Sequence, residues 1–524
     1  MKSIRIGGML VSLAAGAVAY AQDDGSRPAT QAPALECTGR AQARAADGGV
    51  WCDRPRGSEW VHHGPARGID SEGRVTWEGR FRFGVRTGDW TTYYSDGKVE
   101  SHGAYDEQGK PSGHWEYFHI SGQPERAGDL IGGIEEGEWS YFRTDGELTR
   151  RGHYRGGEQV GDWVEYGSGG VREHGVYRNN ERHGTWDRYD ADDHLLSQGE
   201  YRQGRLEGPW TEWWPLGEKR AQGSYSEGLR SGSWIFYDED GHKLRGGSYT
   251  REHETGEWTW WYPSGEVQEH GVYEGGSRVG TWERLSANGT VVSRGDYVDG
   301  VREGVWRTWH SGGQLASEGS LHGGVEVGSW SWWYDNGQLE RQGEFRGGQK
   351  TGEWVEWEVG GAVASRGSYD AGLASGLWLW THPNGAKKEE GSFERGQRVG
   401  AWTAWHANGK KRSATTWVAG VRSGAATEWH ENGKRASEGS YVNGLKEGIW
   451  TTWHTTGERE SEGAFVAGRA EGDWTFWFPS GAKEREGRFE EGRMMGKWTW
   501  YHPDGSIDTE QTGEYRGMRR VDLP

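Results

Sequence analysis

The sequence predicts an all-β protein: an elongated, single-layer antiparallel sheet built from tandem 24-residue β-hairpin repeats. Three observations support this prediction, namely a tryptophan that recurs at a near-constant interval, glycines at fixed offsets from it, and the lack of a sustained helical period. Of the 524 residues, 91 are Gly and 35 are Trp. An aromatic content of 13% is too high for a disordered chain, and with only 13 Pro the glycines do not indicate collagen.

The repeat is defined by a Gly-x-Trp triplet, which first occurs at residues 88–90 and marks 18 units. The step between units is 24 residues, apart from one step of 25 and one of 23. Every unit keeps the Gly, and one unit has Ala426 in place of the Trp. Three residues after the Trp, an aromatic residue stands in 16 of the 18 units, the exceptions being Leu285 and Thr381. This regularity predicts a quasi-one-dimensional array in which neighbouring units cover one another's rings.

Two turn signals divide each unit. Seven residues after the Trp comes a Gly, often preceded by Asn or Asp, as in Asn336-Gly337. Such a dipeptide between short aromatic runs predicts a tight primed turn with positive φ at both central residues. A Gly-x-x-x-Gly segment, such as residues 300–304, then provides the second reversal. Each unit is therefore predicted to hold two short antiparallel strands, the second of which carries a Glu-Gly-x-Tyr pattern.

The N-terminus predicts export. Lys2 and Arg5 precede an apolar run, and a small-x-small sequence ends at Ala21, which together are typical of a secretory signal peptide. The predicted segments are a signal peptide at 1–21, a lead-in and cap with decayed repeats at 22–83, eighteen repeats at 84–517, and a tail at 518–524.

The two cysteines, Cys37 and Cys52, both lie in the predicted cap. In an exported chain, an isolated pair at this spacing favours a disulfide. The alternative is a metal site that adds His62 and His63, but this needs more ligands than the segment offers. The sequence therefore predicts a disulfide and no metal.

The repeat resembles the MORN-repeat superfamily, and within it the bacterial MORN-variant repeat. The resemblance rests on Gly-x-Trp, the following aromatic, Asn-Gly, Glu-Gly-x-Tyr and Gly-x-x-x-Gly, and residues 256–265 show its first half clearly. It covers about 430 residues from roughly Gly84 onward. It implies a twisted sheet of hairpins that serves interaction or scaffolding rather than catalysis. Some bacterial relatives carry an antitoxin-like label, with which an export signal disagrees. Choline-binding repeats also combine Gly with aromatic residues, but with a shorter period.

The sequence offers no candidate catalytic residue and no cofactor site. It lacks a nucleophile elbow, a P-loop and a His-Glu-x-x-His motif. Many of the 19 His stand four residues after the Trp, as His310 and His406 do, where Tyr is also found. This pattern favours a half-exposed sheet position over a ligand. The acidic run at 190–193 is interpreted as a polar turn rather than a calcium site.

The candidate binding surface consists of adjacent aromatic residues. Neighbours in a strand point to opposite faces, so such doublets place aromatic rings on both faces of the sheet. Either both faces are covered by their own stacked rings, or one row of rings is an exposed platform for sugar, peptide or protein. The residues are Trp213, Trp214, Trp260, Trp261, Trp332 and Trp333.

These features predict a non-enzymatic repeat protein, periplasmic, cell-surface or secreted, that offers an extended scaffolding surface to protein partners in the cell envelope. The alternative is a module that binds cell-wall glycan or a choline-type ligand through exposed Trp and Tyr rows. The formal net charge is −18, and losing Lys2 and Arg5 makes it −20 (−18 minus 2). Such an acidic balance disfavours nucleic acid and anionic membranes as partners.

Overall fold

The structure, a computed structural model, describes residues 35–46 and 48–521. The predicted signal peptide at 1–21 lies outside the described residues, as do residues 22–34 of the lead-in and the last three residues of the tail. Within the described residues, the regular structure is β-strand apart from a single 3-10 turn at Ser168–Gly170. In that part of the chain, no helix has the length and apolar character needed to cross a bilayer.

The chain divides into two compact units between Arg205 and Leu206. The first unit holds fourteen strands: β1 (Gln42–Ala46), β2 (Gly49–Arg56), β3 (Glu59–Ile69), β4 (Val75–Arg82), β5 (Val85–Tyr93), β6 (Val99–Tyr105), β7 (Pro111–Phe118), β8 (Pro124–Ile131), β9 (Ile134–Phe142), β10 (Leu148–Arg155), β11 (Glu158–Tyr166), β12 (Arg172–Arg178), β13 (Glu181–Tyr189) and β14 (Leu195–Arg202). Each strand from β1 to β13 pairs antiparallel with the next in the chain.

The second unit continues the pattern from β15, whose first residue stands at the boundary. Its strands are β15 (Arg205–Trp213), β16 (Lys219–Ser226), β17 (Leu229–Tyr237), β18 (Lys243–Thr250), β19 (His253–Trp261), β20 (Val267–Glu274), β21 (Ser277–Leu285), β22 (Val291–Val298), β23 (Val301–Trp309), β24 (Leu315–His322), β25 (Val325–Trp333), β26 (Leu339–Arg346), β27 (Gln349–Trp357), β28 (Val363–Asp370), β29 (Leu373–Thr381), β30 (Lys387–Glu394), β31 (Gln397–Trp405), β32 (Lys411–Val418), β33 (Val421–Trp429), β34 (Arg435–Val442), β35 (Leu445–Trp453), β36 (Arg459–Val466), β37 (Arg469–Trp477), β38 (Lys483–Glu490), β39 (Arg493–Trp500), β40 (Gly513–Arg516) and β41 (Arg519–Val521). The predicted all-β class of successive antiparallel hairpins is confirmed.

The core of each of the two compact units is a row of Trp rings lying flat on glycines. Trp258 of β19 is fully buried, and a Cβ added to Gly247 of β18 would lie 2.2 Å from its ring. The indole N–H donates to the Ser248 carbonyl at 3.1 Å. Tyr249 and Tyr273 meet the ring edge-on, with centroids 5.1 and 6.0 Å away. The Glu-Gly-x-Tyr pattern therefore supplies the bare backbone on which the ring rests and the aromatic residue beside it.

A β-bulge makes room for each indole. Between β18 and β19, Ser248 pairs with Thr255, but the next pair is Gly246 with Thr259. The extra residues lie around Gly256, which has φ +64. A positive φ costs little only for glycine, which explains why every unit keeps the Gly two residues before its Trp.

The two turns differ from the prediction. At Asn336-Gly337 only the glycine has positive φ (+82), and the Gly337 N–H donates to the Tyr334 carbonyl. The primed two-residue turn lies at the other reversal, where Asn443 (φ +50) and Gly444 (φ +82) both adopt it. The reason is the pairing register, because Val442 pairs directly with Leu445 and leaves two residues for the turn. The first reversal has five residues between paired positions, as in 334–338.

The predicted cap contains a disulfide between Cys37 and Cys52, with Cα atoms 5.7 Å apart. The Gly–Trp packing reaches this segment through Gly79, whose added Cβ would lie 2.4 Å from the Trp90 ring. An added Cβ on Gly68 would lie 2.1 Å from the Trp77 ring, but these two residues pair directly across the turn between β3 and β4 rather than across a primed turn. At the other end, β41 lies within the segment predicted as a tail.

Candidate functional site

The six candidate tryptophans do not form one site. Trp260 and Trp332 share the face of the buried Trp row, which we call the Trp face. Trp213, Trp261 and Trp333 lie on the opposite face, and Trp214 lies at the start of a turn. All six are half-buried. Sequence neighbours were predicted to supply rings to both faces, and the structure separates them in this way.

The rings on the Trp face are covered by their neighbours. Trp332 packs against Trp330 and Trp354, with centroid distances of 5.6 and 5.8 Å, and the Arg341 guanidinium lies 4.4 Å above its ring. Such cation–π contacts recur along the row. Among the tryptophans that the structure describes, Trp60 alone is classed as exposed, at 41%. The rings therefore form a covered core rather than an open platform.

The position four residues after the Trp has a structural role. The Nε2 of His310 lies 2.7 Å from the Trp333 carbonyl of the next unit, and that of His406 lies 2.9 Å from the Trp429 carbonyl. The Tyr334 hydroxyl donates to the equivalent Trp357 carbonyl at 2.7 Å. Histidine and tyrosine interchange here because each has a hydrogen-bond donor at about the same distance from the backbone, within reach of this carbonyl. The predicted sheet position is therefore the first residue of the turn that follows the strand, and its contacts are structural.

The acidic turn at 190–193 is explained by its own hydrogen bonds. The Asp190 carboxylate accepts the backbone N–H groups of Asp192 and His194, each at 2.9 Å. The bond from His194 is the main reason why the pKa of Asp190 lies below its ordinary value. Asp238 and His242 form a similar exposed turn, in which the backbone N–H of His242 donates to Asp238 at 2.8 Å. Neither turn needs a cation to account for its shape.

The array is interrupted at one unit, and this interruption is the candidate functional site. Ala426 replaces the Trp, and Thr415 replaces the Gly on which that ring would lie; the two face each other in the register of β32 and β33. The row of ring contacts stops at Trp402 and resumes at the Tyr441–Trp450 pair. A ring at 426 would meet the Thr415 side chain, so the two replacements belong together.

A depression of about 590 Å³ adjoins the interruption. It is lined by residues of the segments 394–400 and 416–419, among them Val399, Thr416 and Trp417. Trp417 stands where most other units carry Tyr or Phe, and the described residues provide no acceptor for its buried indole N–H. The guanidinium groups of Arg398 and Arg422 lie 5.3 and 5.5 Å from its ring centroid.

Exposed aliphatic residues border the same part of the array. They flank the primed turns, on the last residue of one strand and the first of the next, and we call them the aliphatic edge: Val418 (60% exposed), Val421 (43%), Val442 (50%), Leu445 (50%) and Val466 (52%). At these two positions, some other units carry polar pairs such as Arg346 with Gln349, or Glu490 with Arg493, whereas single exposed apolar pairs occur at Ile131 with Ile134 and at Val298 with Val301. Sequence reasoning about aromatic residues missed this edge. Comparison of the turn-flanking positions between units would have found it.

Comparison with known proteins agrees with the repeat geometry. The MORN repeat variant matches five stretches, residues 86–107, 254–274, 302–321, 326–346 and 422–443. No curated protein matches the chain.

Two solved structures show weak similarity. A crystal structure of TcdB2-TccC3 is 11% identical with a TM-score of 0.13, and the match covers 88% of this chain and 28% of that chain. A structure of the Photorhabdus luminescens Tc holotoxin pore with a mutated TccC3 is 10% identical with a TM-score of 0.12, covering 89% and 29%. This chain spans less than a third of those chains, and TM-scores this low carry no argument about fold or function.

The family assignment rests on the repeats themselves. The five matched stretches lie in both compact units, and each spans most or all of two successive strands. The Gly–Trp packing, the bulge and the two turns recur at the same offsets in the units between them. The chain belongs to the MORN-repeat family.

Proposed function

We propose that this chain is a non-enzymatic, exported repeat protein that binds a protein partner in the cell envelope, and that the partner docks on the aliphatic edge next to the interrupted unit. The aliphatic edge carries the proposal. Five aliphatic side chains, each more than two-fifths exposed, follow one another along three consecutive primed turns. A series of exposed apolar side chains of this kind is typical of an interaction surface.

A protein partner fits this edge better than a sugar. Sugars are held mainly by open aromatic faces, whereas the aromatic rings here are packed against one another or lie under arginines. Valine and leucine side chains instead offer small apolar contacts that a complementary protein surface can bury. The choline-type alternative, which needs an open aromatic cage, gains no support from these contacts.

The non-enzymatic role is supported by how the polar groups are used. The histidines with the most regular positions donate to backbone carbonyls of the next unit, as His406 does at 2.9 Å. The arginines on the Trp face stack on rings and pair with glutamates, as Arg278 does with Glu269 at 2.9 Å. These contacts serve the stacking of units and leave the groups little freedom for proton transfer.

Site-specific crosslinking tests the docking surface. A photo-reactive amino acid at position 421 is expected to crosslink one discrete protein in the native envelope, and the same group at position 493 is expected not to. The purified crosslinked protein should then bind the chain at least tenfold more weakly when Val421 and Leu445 are both changed to Ser. The control, Glu490→Ser with Arg493→Ser, alters the two residues that flank the primed turn of another repeat and should bind as the parent does. Equal crosslinking at both positions, or equal binding by both variants, would reject the aliphatic edge.

Export is tested separately. Expression of the full chain should yield a mature N-terminus directly after Ala21, as measured by intact mass, and replacing the apolar residues of 6–18 with polar ones should retain the chain in the cytoplasm. An unprocessed chain in the cytoplasm would contradict the export proposal without affecting the docking surface.

A further inference from the structure

A cluster of basic residues lies along the other turn edge of the same repeats. They occupy positions at and just after the first turn of three consecutive units, next to the first residues of β30, β32 and β34, and all are exposed. We call this cluster the cationic edge: Lys387, Lys388, Lys410, Lys411, Arg412, Lys434 and Arg435.

The local charge is the reverse of that of the whole chain. The chain has 79 acidic and 61 basic residues, yet residues 395–427 contain six Lys or Arg and no Asp or Glu. The centre of this window is the unit of Trp402, directly before the unit that lacks its Trp. Lys410, Lys411 and Arg412 stand together at the first turn of the Trp402 unit. The overall net charge therefore does not describe the potential at this edge, since fields of exposed charges are screened within about 8–10 Å.

The carboxylates that balance the cations in neighbouring units are missing from the central one. Lys387 pairs with Glu390 at 2.6 Å, and Arg435 pairs with Glu438 at 2.6 Å. The residue equivalent to these glutamates in the central unit is Ala414. Within the described part of the chain, Lys411 has no carboxylate partner.

The same loss occurs on the Trp face. Arg398 is held by Glu389 through two bonds of 2.9 and 3.2 Å. In the next unit, Ser413 stands at the glutamate position, and the equivalent Arg422 has no ion pair among the described residues. The basic residues are present in this repeat, but alanine and serine stand where neighbouring repeats have the two partner glutamates. This is unexpected if the basic residues only stabilise the sheet.

The turns hold the cations at regular spacing. The side-chain amide of Asn384 donates to the Ala407 carbonyl at 2.9 Å, and that of Asn408 donates to the Glu431 carbonyl at 2.8 Å. Successive units are two strands apart, which corresponds to ~10 Å at ~4.8 Å per strand. The Lys411 ammonium lies 5.8 Å from the Trp429 ring centroid, which restrains its side chain.

We propose that the cationic edge binds a linear acidic polysaccharide whose carboxylates follow the row of lysines and arginines. The edge has the repeated charges that such a polymer requires, and no large apolar residue is classed as exposed between residues 383 and 412 or 430 and 436. Protein interfaces depend on buried aromatic and aliphatic anchors, which this edge lacks. Glu431 is the exposed acidic residue of the third turn and limits the site at that end.

Duplex DNA fits the edge less well. Its charges are spaced ~1.7 Å apart along the helix axis, much closer than the ~10 Å between units, and the rest of this acidic chain would repel such a charge density. A polymer with more widely spaced carboxylates gains the local attraction and meets less of that repulsion. This proposal uses a different edge from the protein interface and stands or falls independently of it.

Binding of polygalacturonate to the purified mature chain tests the proposal, with neutral dextran, duplex DNA and an acidic unstructured peptide as competitors. The parent chain should bind polygalacturonate saturably, with affinity that falls as salt rises. Lys411→Ala with Arg412→Ala should weaken binding at least tenfold and flatten the salt dependence. The matched control, Lys219→Ala with Arg220→Ala, removes the same two repeat positions from another unit and should have no effect.

Three outcomes would overturn the proposal. These are no binding of polygalacturonate by the parent, equal weakening by the two double variants, and tighter binding of DNA, dextran or the acidic peptide than of polygalacturonate. Near-parental thermal unfolding of both variants would show that lost binding is not lost folding. Restoring the missing carboxylate with Ala414→Glu leaves every cation in place and should also weaken binding.

Discussion

Trp258 lies on Gly247 so closely that a Cβ at position 247 would be 2.2 Å from the indole ring. Real Cβ atoms do not approach this closely, so the ring and the missing side chain form one packing element. The same relation recurs in the other regular units, for example between Gly343 and Trp354 at 2.2 Å. Repetition of this pair accounts for the constant interval between tryptophans.

Gly247→Ala should destabilise its repeat by about 2–3 kcal/mol, because the methyl group forces the buried ring out of place. Trp258→Ala should cost about 3–5 kcal/mol. The two changes together should cost less than their sum by at least ~1 kcal/mol, because the alanine at 247 fits once the ring is gone. Native-state hydrogen exchange of β18 and β19 measures each term. Strictly additive costs would show that the ring does not depend on this glycine.

The interrupted unit allows the reverse experiment. Ala426→Trp alone should destabilise the chain, because the new ring meets the Thr415 side chain. Ala426→Trp with Thr415→Gly should recover that loss and add up to a few kcal/mol, since a buried indole removes 150–250 Å² from water. Thermal unfolding of the two variants provides the comparison. A single variant as stable as the double one would contradict the proposed pairing of these positions.

The histidine position should accept tyrosine but not phenylalanine. His406→Tyr keeps a donor for the Trp429 carbonyl, as Tyr334 does for Trp357, and should change stability by less than ~0.5 kcal/mol. His406→Phe keeps the ring and loses the donor, at a cost of about 1 kcal/mol or more. Hydrogen exchange of β33 and β34 reports the difference. Equal protection in the two variants would mean that ring packing alone matters here.

The pair formed by Glu303 and His322 predicts a pH dependence. The Nδ1–Oε1 distance is 2.8 Å, and this hydrogen bond raises the pKa of His322 above 6.5 and lowers the pKa of Glu303 below 4.5. The His322 contribution is therefore complete below pH 6.5 and is lost as pH rises through its raised pKa. The Glu303 contribution is complete above pH 4.5 and is lost as pH falls through its lowered pKa.

The measurement is an NMR titration of the His322 ring. Glu303→Gln should bring the pKa of His322 back toward 6.5, whereas the control Glu318→Gln, whose parent residue pairs with Arg307, should leave it unchanged. The His322 side chain is 81% exposed and the Glu303 side chain 34%, so solvent screens the pair and the effect on global stability should be small. An unchanged His322 pKa in Glu303→Gln would show that the ion pair does not form in solution.

Removal of the disulfide should affect only the N-terminal end of the array. Cys37→Ser with Cys52→Ser opens a loop with a sequence separation of 15, for which the chain-entropy model gives about 3 kcal/mol. Because each repeat contacts mainly its neighbouring repeats, β2 and β3 should lose protection from hydrogen exchange while β8 and β9 keep theirs. Uniform loss of protection along the first compact unit would instead indicate that the cap stabilises all the repeats of that compact unit.

Much of the fold was predictable because one position is repeated so many times. The Trp interval, the bulge glycine before it and the two reversals each appear at a fixed offset, so an error at one unit is corrected by the others. The turn types were not predictable from Asn336-Gly337 alone. They depend on how many residues remain between paired positions, and that number is set by pairing across the whole hairpin.

The candidate site was harder to predict for a different reason. The aromatic doublets predicted a binding surface, yet Trp260 and Trp261 lie on opposite faces and neighbouring side chains partly cover them. Val421 and Leu445 are unremarkable in the sequence, and their exposure follows from their place beside the primed turns. The basic residues of 395–427 can be read from the sequence, but the negative net charge of the whole chain led to the prediction that the protein avoids anionic partners.

The amino-acid sequence by itself determined the number of units, the hairpin composition of each and the location of the one unit that breaks the pattern. These features follow from the spacing of residues along the chain, which does not depend on folding. Only the tertiary structure decided which rings are buried, which edge is aliphatic and which is cationic, and which ions lack partners. Those properties arise from the pairing of strands, because the exposure and the counter-charges of a residue are set by the side chains that the fold places beside it.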